Sequence, residues 1–174
     1  YPAYTNLNSL AVFLLLGVGV TGSVLAQTET WTVMPPMPVP VHGPGVGVIG
    51  TKIYAAGGMN LVTRGNWLQV FDTTTSSWAQ KMPMANGRLE SAAGVIDGRL
   101  YVAGGHNDCC GPQSSLEVYD PVQDAWTTRA PLPFAVTEAA GAVLDGRLYV
   151  IGGWTNFAGE VNHVQIYDPQ TNSW

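Results

Sequence analysis

The 174-residue sequence predicts an all-β fold made of three tandem four-stranded antiparallel units, and three observations predict it. Trp31, Trp78, Trp126 and Trp174 recur at intervals of 47, 48 and 48 residues. The pairs Gly57-Gly58, Gly104-Gly105 and Gly152-Gly153 keep that spacing, as do Tyr54, Tyr101 and Tyr149 before them. Asp97-Gly98 and Asp145-Gly146 each stand between two short apolar runs, the signature of a two-residue type I′ hairpin in which both central residues take φ > 0. Phe71, Tyr119 and Tyr167, each followed by Asp, and Pro36, Pro83 and Pro131, each five residues after a Trp, add two more columns of the same period. A period of this size is the mark of a repeat architecture.

Taken in chain order, residues 1–26 read as an export leader. Leu10–Val20 is an eleven-residue apolar and glycine run, and Val24-Leu25-Ala26 supplies the small residues of a cleavage site after Ala26. The run is short of the about 20 residues a membrane helix needs, so a membrane connection enters only as an uncleaved leader. A basic start is missing, which gives the leader a truncated n-region. Secretion, or delivery to a periplasm or cell surface, is the expected localisation.

Residues 27–174 form the repeat domain, with units at about 39–83, 86–131 and 134–174. In the middle unit strand A is Ala92–Ile96 and strand B is Arg99–Ala103. Gly50-Thr51 replaces Asp-Gly in the first unit, where a leading glycine suits a type II′ turn. Strand C is Leu116–Asp120, matched by Leu68–Asp72 and Val164–Asp168, and Pro121 or Pro169 then turns the chain because proline cannot donate to a ladder. Strand D carries the Trp. Both faces of strand B are apolar, so each sheet is covered on both sides, as in a radial array of sheets: a β-propeller. The glycine pair permits close backbone approach and φ > 0 at the end of strand B.

With 46% hydrophobic and 11% charged residues and a net charge of −5, the chain has no basic stripe, which argues against a nucleic-acid partner. The AB and CD turns fall at one end of the units and the BC and DA connections at the other. Loop-borne function belongs to the latter. There, Arg88, Glu90 and Glu138 lie in DA segments, and His106, Asn107, Trp154 and Asn156 in BC loops. Exposed aromatic rings beside amides suit sugar or peptide recognition. Glu90 and Glu138 occupy the same place in successive units, either as acids facing a polyol near the axis or as turn residues. Cys109-Cys110 is read as a strained vicinal disulfide, with bridging to other partners as the alternative; adjacent cysteines do not suit a tetrahedral metal, and neither metal nor cofactor is expected. No G-x-S-x-G, P-loop or H-E-x-x-H pattern occurs.

The unit "DGRLYVAGG", a variable loop, "LEVYDPVQDAW" and "MP" resembles the Kelch motif over residues 31–174. The structural columns are then Tyr54, Gly57, Gly58, Trp78, Tyr101, Gly104, Gly105, Tyr119, Asp120, Trp126, Tyr149, Gly152, Gly153, Tyr167, Asp168 and Trp174. The resemblance implies a Kelch-type propeller of which this chain supplies three blades of an incomplete ring, with further blades expected beyond residue 174. It implies a non-enzymatic module that binds a protein or glycan through its BC/DA face. The alternative is a carbohydrate-active enzyme of the sialic-acid mutarotase (N-acetylneuraminate epimerase) type, for which Arg88, Glu90 and Glu138 would be the catalytic positions. A galactose-oxidase-like copper enzyme fits less well, since no Tyr, Cys and His set is recognisable.

Overall fold

The computed structural model describes residues 31–174, and the leader expected over residues 1–26 lies outside them. The unit Val33–Trp174 is all strand and turn. Blade 1 is β1 (Gly45–Ile49), β2 (Lys52–Ala56), β3 (Leu68–Asp72) and β4 (Ser77–Lys81), hydrogen-bonded in that order. Blade 2 is β5 (Ala92–Ile96), β6 (Arg99–Ala103), β9 (Leu116–Asp120) and β10 (Ala125–Arg129); its BC loop forms a small hairpin of β7 (His106–Asn107) and β8 (Gly111–Pro112). Blade 3 is β11 (Ala140–Leu144), β12 (Arg147–Ile151) and β15 (Val164–Tyr167), with a BC hairpin of β13 (Trp154–Thr155) and β14 (Gly159–Glu160). Its fourth strand is reduced to an Asp168–Ser173 bridge before Trp174, so this sheet has three strands where four were expected.

The turn chemistry is borne out. Asp97 and Gly98 have φ of 49° and 70°, Asp145 and Gly146 have 50° and 70°, and in the first unit Gly50 alone is positive, at 59°, as a type II′ turn needs. The β5–β6 register therefore pairs Ile96 with Arg99 across the turn and Ala92 with Ala103 at the far end. The A strands β1, β5 and β11 lie side by side, and the blades pack through the faces between them. Close approach explains the glycines there: a methyl on Gly94 would sit 2.6 Å from Val143 Cγ2, and one on Gly104 would sit 2.5 Å from the Val136 carbonyl oxygen.

Two apolar clusters fill the spaces between blades. Tyr54, Leu68, Val70, Leu100, Val102 and Tyr119 pack between blades 1 and 2. Ile96, Tyr101, Leu116, Val118, Leu148 and Tyr167 do so between blades 2 and 3. Trp78, Trp126 and Trp174 each stack on the strand C aromatic of their own blade, Phe71, Tyr119 or Tyr167, at 5.1–5.3 Å.

Each of these indoles also reaches back along the chain. Trp126 Nε1 donates to the Met82 carbonyl and Trp174 Nε1 to the Ala130 carbonyl, both at 2.7 Å. The same two residues donate their N–H groups to Asp124 and Asn172, which in turn accept the hydroxyls of Tyr119 and Tyr167. One backbone residue of the preceding unit is thus held by donor and acceptor at once. In blade 1 Trp78 donates to Pro35, which has no N–H to offer; Ser76 stands where Asp124 and Asn172 do, and Phe71 has no hydroxyl. The divergence of the first copy is internally consistent. Trp31, the first member of the column, is exposed and lies in no strand, because among the described residues no strand C precedes it.

Candidate interaction face at the BC and DA loops

Backbone pairing builds this end of the blades more regularly than the loop sequences suggest. Each DA segment forms a bridge with the start of a BC loop: His42 with Met59, Leu89 with His106, Thr137 with Trp154. Neighbouring loops are then latched to one another. Arg64 of the first BC loop forms an ion pair with Asp108 of the second, which holds the Asp108 carboxyl below its usual range. Gly111, at φ 77°, leaves space that Asn156 of the third loop fills; a methyl there would sit 2.6 Å from Asn156 Nδ2.

At the inner edge, Gly43, Glu90 and Glu138 all adopt the left-handed conformation, with φ of 62°, 56° and 57°. Glu138 N–H donates to the Glu90 carbonyl at 3.0 Å, and Glu90 N–H donates to the Gly43 carbonyl at 2.7 Å, linking successive blades by backbone alone. Glu90 is half-buried and its carboxylate accepts the Thr137 hydroxyl at 3.5 Å, whereas Glu138 is exposed.

Arg88 does not belong to this face. Its side chain is 0% exposed and forms an ion pair with Glu117, itself 3% exposed, while Nη1 donates to Ser115 Oγ at 2.6 Å and to the carbonyls of Gly104 and Ser115. Burial pulls the guanidinium below its ordinary value, and the Glu117 charge opposes that. The ligand-binding and catalytic roles expected of Arg88 are therefore corrected: it is an internal fastener that cannot join Glu90 and Glu138 at a substrate.

Glu117 carried no expectation from the sequence, yet its column explains the pair. Gln69 and Gln165 hold the same place on strand C, both buried, and each clamps a DA backbone residue from both sides, Val39 or Phe134. A carboxylate has no donor, so Glu117 accepts Ala85 N–H with one oxygen and gives the other to Arg88. Where blade 2 has Arg88, blades 1 and 3 have Val41 and Val136.

The remaining candidates separate into frame and surface. His106 is half-buried and its backbone exchanges both hydrogen bonds with Leu89. Asn107 caps the loop turn: its Oδ1 accepts Cys110 N–H at 2.9 Å and the Cys109 thiol at 3.6 Å. Cys109 and Cys110 are free and exposed in the structure, where a vicinal disulfide was expected; adjacent Cα atoms stand about 3.8 Å apart, short of the about 4.4–6.8 Å that unstrained disulfides span, and Asn107 holds the turn in this dithiol form. Trp154 is half-buried and Asn156 is exposed. Among the described residues no three metal-ligating side chains converge.

The loop tips carry large apolar groups in solvent: Leu61 and Val62 on the first loop and Phe157 on the third are almost wholly exposed, and Phe134 of the adjacent DA segment is half exposed. Between blades 2 and 3 a cleft of about 470 Å³ is lined by Cys110, Phe134, Asn156, Phe157, Val161 and His163, with the His163 ring stacked on Phe134 at 4.5 Å. A larger hollow of about 580 Å³ beside Val41, His42 and Met59 lies at the open flank of blade 1. Leu61 and Val62 of the first loop tip line that hollow too, so it belongs to the same loop face.

The Kelch motif matches residues 40–85, 87–133 and 135–174, one match for each blade. This chain belongs to the Kelch family. An F-box/kelch-repeat protein of Arabidopsis thaliana is similar to it, 36% identical over 69 residues that make up 40% of this chain and 26% of the relative. A Kelch repeat-containing protein of the same plant is 35% identical over 83 residues, 48% of this chain and 19% of its own length. The Kelch-like protein terF of Aspergillus terreus is 36% identical over 85 residues, 45% of this chain and 18% of its own. This Kelch chain thus spans about a quarter or less of those curated relatives.

Proposed function

We propose that this Kelch chain is an exported recognition module that binds a protein partner through its BC/DA face. The observation that carries the reading is the set of large apolar side chains held in water at the loop tips, Leu61, Val62 and Phe157, on loops that are latched together by Arg64–Asp108 and Gly111–Asn156. Apolar groups on a pre-organised frame bind at low ordering cost, and aromatic anchors beside a cleft are the usual centres of binding energy. Kelch repeats are in keeping with a protein-interaction module. Export rests on the leader-like residues 1–26, and further blades would cover the outer flank of blade 3. There Leu144, Ile151, Val164 and Ile166 are exposed, whereas their blade 2 counterparts Ile96, Ala103, Leu116 and Val118 are buried.

The test is proximity cross-linking of the full chain in the exporting cell, wild type against Phe157→Ser and Leu61→Ser/Val62→Ser. Proteins captured by the wild type and lost from both variants, whose near-ultraviolet circular dichroism is unchanged, are the expected result. Equal capture by all three chains, or saturable binding to an array of glycans that the variants leave intact, refutes a protein-binding face built on these tips.

A further inference from the structure

The second BC loop presents two free thiols side by side at the rim of the cleft between blades 2 and 3. Cys109 and Cys110 are both exposed, and Cys110 lines the cleft itself. Interaction with the neighbouring Cys109 side chain pushes the Cys110 thiol up. The turn that carries them is held in its reduced form by one side chain, Asn107, through the Cys110 N–H and the Cys109 thiol. The next residue, Gly111, is the seat of Asn156.

We infer that Cys109 and Cys110 are a reversible oxidation site, closing to a vicinal disulfide in exchange with a small-molecule disulfide and reopening when thiol is in excess. One protein thiolate attacks the reagent disulfide, whose S–S bond breaks and releases one thiolate; a mixed disulfide results. The neighbouring thiolate then attacks the protein sulfur of that mixed disulfide and expels the second reagent thiolate. The protein pair gives up two electrons and two protons, the reagent disulfide takes the electrons, and the protons pass to water.

Two features make the site reversible rather than a permanent staple. Adjacent residues hold their Cα atoms at about 3.8 Å, closer than an unstrained disulfide allows, and strain favours the reduced form. Exposure of both sulfurs lets the exchange partner reach either one. Oxidation must also release the Cys109 thiol from Asn107, because a disulfide sulfur has no proton to donate. The turn that ends at Gly111 then reshapes, and Asn156, which lines the cleft, moves with it.

The experiment equilibrates the full chain in glutathione buffers stepped from reduced to oxidised, quenches it in acid, alkylates it and weighs it. The expected product under oxidising conditions is a chain lighter by two hydrogens, unalkylated at both cysteines, that returns to the dithiol in reduced glutathione. Cys109→Ser and Cys110→Ser stop at a single mixed adduct. Asn107→Ala, which removes the one contact that needs a thiol proton, moves the midpoint toward the oxidised form by about fivefold in the buffer ratio. Stable double adducts, disulfide-linked dimers as the sole product, or thiols that stay alkylatable throughout would overturn the site. An Asn156 side-chain amide resonance that stays in place when the intramolecular disulfide has formed would overturn the coupling to the cleft.

Discussion

Glu117→Gln makes blade 2 match its neighbours on strand C but leaves Arg88 in place. The wild-type carboxylate takes the Arg88 guanidinium on one oxygen and Ala85 N–H on the other. Glutamine has one oxygen, so one of these donors meets an NH2 group, and a guanidinium that is 0% exposed loses its counter-charge. Breaking a buried ion pair from one side costs about 3–5 kcal/mol. Arg88→Val alone strands the buried carboxylate instead, at a cost of the same order. The double variant Arg88→Val/Glu117→Gln rebuilds the arrangement already present as Val41 with Gln69 and as Val136 with Gln165. Its residual cost is the unfilled volume left by the shorter side chain, about 1–2 kcal/mol. Urea unfolding of the four chains, followed by tryptophan fluorescence, gives the coupling energy directly. We expect the double variant to be more stable than either single. A double variant whose loss equals the sum of the singles within about 0.5 kcal/mol refutes the account.

The other predictions concern the frame and its titration. Trp126→Phe keeps the stack on Tyr119 but removes the indole bond to Met82, and should lower stability by about 1 kcal/mol in the same urea assay. Gly94→Ala pushes a methyl against Val143 and Leu148 between blades and should cost about 1–3 kcal/mol, whereas Gly98→Ala, in open space at φ 70°, meets only backbone strain of about 1–2 kcal/mol; a Gly94→Ala chain whose urea midpoint matches the wild type would contradict the packing described. Glu138→Gly relieves a left-handed non-glycine residue and should raise stability, read as a higher melting temperature. Acid should unfold the chain from below about pH 4. Asp120 and Asp168 are held below the usual carboxylate range first by the backbone N–H groups of Val122 and Gln170, and Asp124 first by the Tyr119 hydroxyl. Depressed folded-state values mean stability present above the unfolded-state value and lost as pH falls through the folded one. Asp120→Asn and Asp168→Asn should flatten the fall in urea midpoint between pH 5 and pH 3, judged about 1 unit either side of that value.

Blade architecture was legible because it is written in residues whose constraint is local. Asp-Gly at 97–98 and 145–146 requires φ > 0 whatever surrounds it, and it set the register of two hairpins before any packing was known. The tryptophan column was legible as a period but not as a fastener, since its hydrogen-bond acceptor lies in the preceding unit, 44 residues back for Trp126. Arg88 read as a face residue because it lies in a DA segment, at the end of the units where loop-borne function was expected. The signal that would have corrected it sat elsewhere, in a lone carboxylate within the Gln69–Glu117–Gln165 column. A buried acid where its equivalents are amides requires a buried cation, and Arg88 is the residue added where the other blades carry valine. The BC loops were opaque for the opposite reason. Their common hairpin form comes from backbone pairing with the DA segments, which dissimilar sequences share.

The same comparison across copies separates conformational need from chemistry at the inner edge. The backbone there asks for φ > 0 and for an N–H donated to the preceding blade, and Gly43 shows that no side chain is needed in that conformation. Glutamates at 90 and 138 therefore carry a conformational cost, about 1–2 kcal/mol each, that glycine would avoid. The cost is not recovered by the ladder, which uses only main-chain atoms, and for Glu138 it is not recovered by burial either, because the residue is exposed. In Arg88 and Glu117 the departure from the repeat is repaired inside the same blade by a matching charge. In Glu138 the conformational cost stays uncompensated and the carboxylate stays open to water on the face where the apolar loop tips also stand, so its consequences fall on what this face meets.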